Sequence, residues 1–236
     1  MSTTLPSPTL PELHLTVDHA ARRTTGRPTW PIFGIVAGVA GWASAALALT
    51  TVTEEQAQEG VGVLDHLSRG TYYASFLLGI VASASLFVAA TGWKRWAEQR
   101  APRDLAARTI GTALAATATI NVIFACLAGS MALYLPGGAN EDLLSRESQL
   151  VNYTLLDFGQ LLGWWGAVVA ALCAASLGLR RNRVLPRWMG VVSLIAPLPG
   201  IVMAAAISLP GFVGLTMPIW LVVISIGLVF SRTAEA

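Results

Sequence analysis

Asp157, Gln160 and Trp164 follow one another at steps of three and four residues, so on a helix they share one face. An acid, an amide and an aromatic ring on one face suit a cation or a small polar molecule. Asp157 is also the only acidic residue within a predicted span, and an ionisable group there is a functional candidate by default. A second explanation competes with that one. If the helix begins near Thr154, Asp157 falls only ~6 Å inward of Tyr153, close to the positive end of the helix dipole. Asn121 stands near the middle of another apolar stretch. A buried amide at that depth either bonds across helices, worth ~1 kcal/mol, or lines a site. Pro197, Pro199 and Gly200 interrupt a further stretch. Each proline removes a backbone donor, which produces either a kink facing the bundle or a broken helix lining a substrate cavity. Asp157, Gln160, Trp164, Asn121, Pro197, Pro199 and Gly200 are therefore the candidate ligand-binding residues.

Other chemistries find little support. The chain has no Ser–His–Asp set, no Gly-rich phosphate loop and no HExxH pattern. We assign no catalytic residues and expect no cofactor and no metal; an intramembrane enzyme ranks third among the function classes, because acid–base residues are scarce. Cys126 and Cys173 lie in apolar stretches and read as packing residues. His14, His19 and His66 lie outside the predicted spans, and the adjacent Asp65 and His66 read as a solvated loop. Asn152-Tyr153-Thr154 matches a glycosylation acceptor but sits too close to the membrane to be used. No basic domain exists to hold a nucleic acid, so no nucleic-acid partner is expected.

The elements that must position the candidate residues are defined by missing charge. Asp, Glu, Lys and Arg are absent from 30–53, 71–93, 109–140, 158–179 and 188–231. A membrane span needs about 20 apolar residues. Each stretch is long enough to cross once, and the last can cross twice. Charged residues make up 12% of the chain, against about 25% in soluble domains, too few for a water-facing surface. The expected fold class is all-α: a polytopic membrane protein, a bundle of six transmembrane helices near 30–52, 71–93, 109–135, 154–179, 188–208 and 212–231. The predicted domains are a disordered tail over 1–29, the transmembrane domain over 30–231 and a short C-terminus over 232–236. The tail lacks a basic start followed by an apolar core and is no cleavable signal peptide.

The distribution of basic residues supports the same count. Thirteen of fifteen fall in the tail (Arg22, Arg23, Arg27), the loop after helix two (Lys94, Arg95, Arg100, Arg103, Arg108), the loop after helix four (Arg180, Arg181, Arg183, Arg187) and the C-terminus (Arg232). With six spans these segments share one side. The other side has only Arg69 and Arg146, among seven acids. The positive-inside rule makes the basic side cytoplasmic, so both termini are expected in the cytoplasm and the protein in the cell membrane. Lys94, Arg95, Arg180, Arg181, Arg183 and Arg187 are expected to contact anionic lipid, at about 1 kcal/mol each. Trp30, Trp93, Trp96 and Trp188 mark inner boundaries, and Tyr72, Tyr73, Tyr134 and Tyr153 outer ones. Gly34, Gly38, Gly41 and Ala45, and Gly159, Gly163 and Gly166, form small-residue stripes that let helix backbones approach closely.

The run Arg180-Arg181-Asn182-Arg183-Val184-Leu185-Pro186-Arg187-Trp188-Met189-Gly190 precedes the last two helices. This basic loop with its LPxWxG junction resembles an uncharacterised family of six-helix bacterial membrane proteins. The resemblance covers the last third of the chain and implies only fold and membrane location. The leading expectation for function is a non-enzymatic integral membrane protein that binds a small molecule or lipid, or assists transport. The alternative is a membrane subunit or regulator that meets a protein partner at its Arg-rich loops.

Overall fold

The chain is all-helical in its described residues, 29–49, 52–181 and 183–230 of a computed structural model. The predicted tail with Arg22, Arg23, Arg27, His14 and His19, the loop residue Asn182, and Arg232 with the C-terminus lie outside the described residues.

Six helices are long and apolar enough to cross a membrane: Trp30–Leu49, Arg69–Arg100, Leu105–Tyr134, Arg146–Leu179, Arg187–Ile207 and Pro210–Phe230. Hydrocarbon offers no partner for backbone polar groups, so long uncharged segments close their hydrogen bonds internally as helices. Span one is α1 (Trp30–Leu49). A short α2 (Glu54–Ala57) and a 3-10 turn over Gly60–His66 lead to α3 (Arg69–Arg100), the second span. The third span, α4 (Leu105–Tyr134), is started by Asp104, whose carboxylate accepts from the Ala106 and Ala107 amides. The fourth span divides into α5 (Arg146–Leu162) and α6 (Trp165–Leu179). The fifth divides into α7 (Arg187–Ile195) and α8 (Leu198–Ile207), and α9 (Val213–Phe230) is the sixth.

α1 packs between α3 and α9, α3 against α4, α4 against α6, and α9 reaches back to α6. The fifth span stands outside this ring against α6. Only 22% of its most apolar window is buried, whereas the other spans bury 44% to 61%. The small residues explain the close contacts. Gly34 and Gly38 of α1 face Ser225, Val222 and the Pro218 carbonyl of α9. Gly159, Gly163 and Gly166 face Phe124, Asn121 and Thr117 of α4. Both stripes are used inside the bundle.

The ends of the bundle are tied by side chains. At the basic end Arg180 pairs with Asp104, joining the α3–α4 and α6–α7 connections. Trp93 meets the Trp30 ring at a tilt, 5.6 Å between ring centres, and the Trp96 ring edge to face at 5.1 Å, so α1 starts at this end. At the opposite, acidic end Arg146 pairs with Asp65 at 2.7 Å and donates to the Val61 carbonyl at 3.2 Å. Arg69 Nε donates to the Ala132 carbonyl at 3.1 Å.

Two boundaries depart furthest from the sequence reading: α3 runs on to Arg100 rather than ending near 93, and the fourth span starts early. The fourth span begins at Arg146, not near Thr154, because Ser145 caps it by accepting from the Ser148 amide. Asp157 thus lies about 16 Å along the axis from Arg146 at ~1.5 Å per residue, well beyond the first turn. A helix-end dipole does not account for an acid at that position.

Candidate functional site

Four spans bring polar side chains to the middle of the bundle. Ser44 of α1 and Ser75 of α3 face each other, 4% and 0% exposed. Ser44 Oγ donates to the Ser75 carbonyl at 2.8 Å, and Ser75 Oγ donates to the Ser44 carbonyl at 3.0 Å. Their hydroxyl oxygens are 3.2 Å apart. Gln160 of α5 reaches the pair, its Nε2 donating to Ser75 Oγ at 3.1 Å. Asn121 of α4 approaches from another side, with its Oδ1 beside Gly163. These groups surround a cavity of about 10 Å³ lined by Gly41, Ser44, Ala45, Gly79, Ala82, Asn121, Gln160 and Trp164. Trp164, 1% exposed, lays its ring against Gly41, where any side chain would collide with it.

The fourth span is interrupted at this level. α5 ends at Leu162, and the chain turns through Gly163 and Trp164 before α6 begins. The Trp164 amide bonds the Leu161 carbonyl at 3.4 Å, three residues back rather than four. The helical ladder is therefore locally tightened beside the cavity. Asn121 Nδ2 and Gln160 Oε1 are both buried with no hydrogen-bond partner. Unpartnered buried polar atoms are rare enough in folded proteins that each calls for a reason.

A polar face runs from this centre toward the acidic end. Arg146, Gln149, Tyr153, Asp157, Gln160 and Trp164 recur every three or four residues along the fourth span. Gln149 is buried and donates to the Leu144 carbonyl at 3.2 Å. Tyr153 and Asp157 are half-buried. Where the face reaches the acidic end, a cup of about 200 Å³ is lined by Asp65, Tyr134, Glu141, Asp142, Arg146 and Gln149, with Leu64 and Pro136. His66 stands in the same loop as Asp65 but turns elsewhere, with Nε2 at 3.0 Å from Glu59 and Nδ1 at 3.2 Å from Gln56.

Of the residues singled out by sequence, Asn121, Gln160 and Trp164 line one cavity. Asp157 is not among its walls and lies one turn toward the acidic end. Pro197, Pro199 and Gly200 form the α7–α8 junction in the peripheral fifth span. There Gly200 packs on Val213 and Pro199 is exposed. Lys94, Arg95, Arg180, Arg181, Arg183 and Arg187 are all exposed at the basic end. Ser44 and Ser75 were missed. A serine in an apolar span normally bonds its own helix, as Thr117 does to the Ala113 carbonyl at 3.0 Å, so neither stood out. Ser130 does both: it donates to the Leu127 carbonyl at 3.1 Å and accepts from Asn152 of α5. Among the described residues no group of His, Cys, Asp and Glu is placed to hold a metal ion.

The fold and the site define a multi-pass, all-α integral membrane protein with a polar centre. Comparison with protein-family models, curated proteins and solved structures finds no match.

Proposed function

We propose that this is a non-enzymatic, transport-associated membrane protein that binds a small polar molecule at the centre of its bundle. One observation carries the reading: two amides on different spans, Asn121 and Gln160, line a shared cavity beside a helix break, and each has a buried hydrogen-bonding atom without a partner. Buried polar atoms in a membrane interior are costly, so their retention argues for use. Interrupted helices beside a mid-bundle cavity are also how many transporters build their sites. The polar face of the fourth span supports an approach from the acidic end through Asp157. In this reading the acidic end faces outward, both termini are cytoplasmic, and the protein resides in the cell membrane of a bacterium. It then stands with the six-helix proteins whose LPxWxG junction it resembles.

The exposed cations at the basic end favour anionic headgroups there. They also support the second reading, a membrane subunit or regulator with a protein partner at these loops.

Native mass spectrometry of the gently purified protein separates the two. A stoichiometric small-molecule or lipid adduct that disappears in Gln160→Leu and in Asp157→Asn supports the binding function. A stoichiometric protein partner, lost on replacing Arg181, Arg183 and Arg187, supports the regulator. An adduct indifferent to Gln160 and Asp157 refutes the site.

A further inference from the structure

The hydrogen bonds around the centre specify what it can hold, given the reading above that the centre is a binding site. Ser44 Oγ and Ser75 Oγ each have one proton, and each spends it on the other residue's carbonyl. Whatever meets Ser75 Oγ must then donate. Gln160 does so at 3.1 Å, which places its Nε2 on the serine and leaves Oε1 as the unused atom. Gln160 is 6% exposed and lines the cavity, and its Oε1 is a buried acceptor without a partner. Asn121, 9% exposed, borders it from α4 with Nδ2 as an unused donor. Ser44 Oγ, its proton already committed, supplies a further acceptor.

We propose that the centre is a site for a neutral hydroxyl group that accepts from Asn121 Nδ2 while donating to Gln160 Oε1. A bare cation gains nothing from the Asn121 N–H, and an anion is repelled by Gln160 Oε1. A neutral O–H satisfies both amides at once. Size then selects among hydroxyl species. A water needs roughly 10–15 Å³ of such space and typically makes about three hydrogen bonds, and the cavity of about 10 Å³ offers one donor and two acceptors. Water is the occupant that fits with Trp164 closed over Gly41. A larger alcohol or polyol would enter by displacing it and moving that ring. The bridge ties α4 to α5 one turn before the break at Gly163–Trp164.

Two measurements on the full-length protein in detergent test this. Wild-type thermal unfolding is compared in sodium, potassium and choline chloride at equal ionic strength. Superimposable melts are expected. A saturable stabilisation by sodium or potassium would overturn the assignment, because it requires the Asn121 amide turned with its oxygen inward. A double-mutant cycle on Asn121→Ala and Gln160→Ala is then read as shifts in Tm. Each single variant strands the other amide, so the double variant should lose clearly less than the sum of the two; additive shifts refute the bridge. If an alanine variant does not fold, Asn121→Ser and Gln160→Asn take its place in the cycle, and the wild-type arm needs no variant. Absence of any adduct in native mass spectrometry with non-additive shifts would refute small-molecule binding while supporting a bridge held by water alone. Additive shifts with an adduct present would refute the bridge alone.

Discussion

Ser75→Ala removes a single oxygen from the middle of the bundle, and the structure says what that oxygen does. It donates to the Ser44 carbonyl across the α1–α3 contact and accepts from Gln160 across the α3–α5 contact. Interhelical hydrogen bonds in membranes average about 0.6 kcal/mol, so the two together contribute about 1.2 kcal/mol. Their loss also strands the buried Gln160 Nε2 donor, which costs about 1–3 kcal/mol. The expected destabilisation is thus roughly 2–4 kcal/mol, with little from packing because the side chain barely changes volume. Ser83→Ala is the internal control. Ser83 is on the same helix and 1% exposed, but its hydroxyl donates only to the Gly79 carbonyl of its own turn at 2.8 Å. Back-bonding of this kind adds little to stability, so its removal should be near neutral. Equilibrium unfolding in mixed micelles with increasing dodecyl sulfate, followed by tryptophan fluorescence, reads both variants. If Ser75→Ala and Ser83→Ala unfold at the same point, the α1–α3–α5 network carries no stability and the account of the centre fails.

Three further outcomes follow from the packing and the charges. Gly41→Val drives a branched side chain into the Trp164 ring and should cost about 1–3 kcal/mol by overpacking, seen as a lower melting temperature with altered tryptophan emission. Trp220→Phe removes the 2.9 Å bond from Trp220 Nε1 to Ser193 Oγ that ties α9 to the peripheral fifth span; hydrogen exchange should rise in 187–195 and stay unchanged in α3, and uniform exchange would refute a selective tie. With Cys126 and Cys173 replaced by Ala, cysteines introduced as Glu141→Cys and Arg183→Cys should react with an impermeant maleimide from opposite sides of the membrane, Glu141→Cys from outside; labelling of Arg183→Cys from outside would reverse the orientation.

The break in the helices shows where sequence reading stops. Pro197, Pro199 and Gly200 announce an interruption because proline cannot donate, and the chain does divide there into α7 and α8. Nothing comparable announces the break at Gly163–Trp164, which arises where the Trp164 ring meets Gly41 and where Gly163 and Gly166 lie on α4. Asn121, Gln160 and Trp164 were legible as candidates because polar and aromatic groups stand out in apolar helices. That Asn121 of another span converges on Gln160 and Trp164 was not legible. The start of the fourth span was misplaced because Arg146, Glu147, Ser148, Gln149, Asn152 and Thr154 crowd its first turns, and a stretch so polar reads as loop until the Ser145 cap shows that it is helical.

The sequence alone determines the class, the number of spans and the ends that share a side. Uncharged stretches of this length can satisfy their backbones in lipid only as helices, and the alternation of basic and acidic loops counts the crossings. Tertiary structure decides which faces meet. The contacts that build the centre join residues 31 and 85 positions apart, and they depend on how each helix is rotated about its axis. Helices such as α1 and α9 are apolar on all sides, so no polar stripe in them sets that rotation. It is set by the close fit of glycines against larger neighbours, which exists only once the helices have packed.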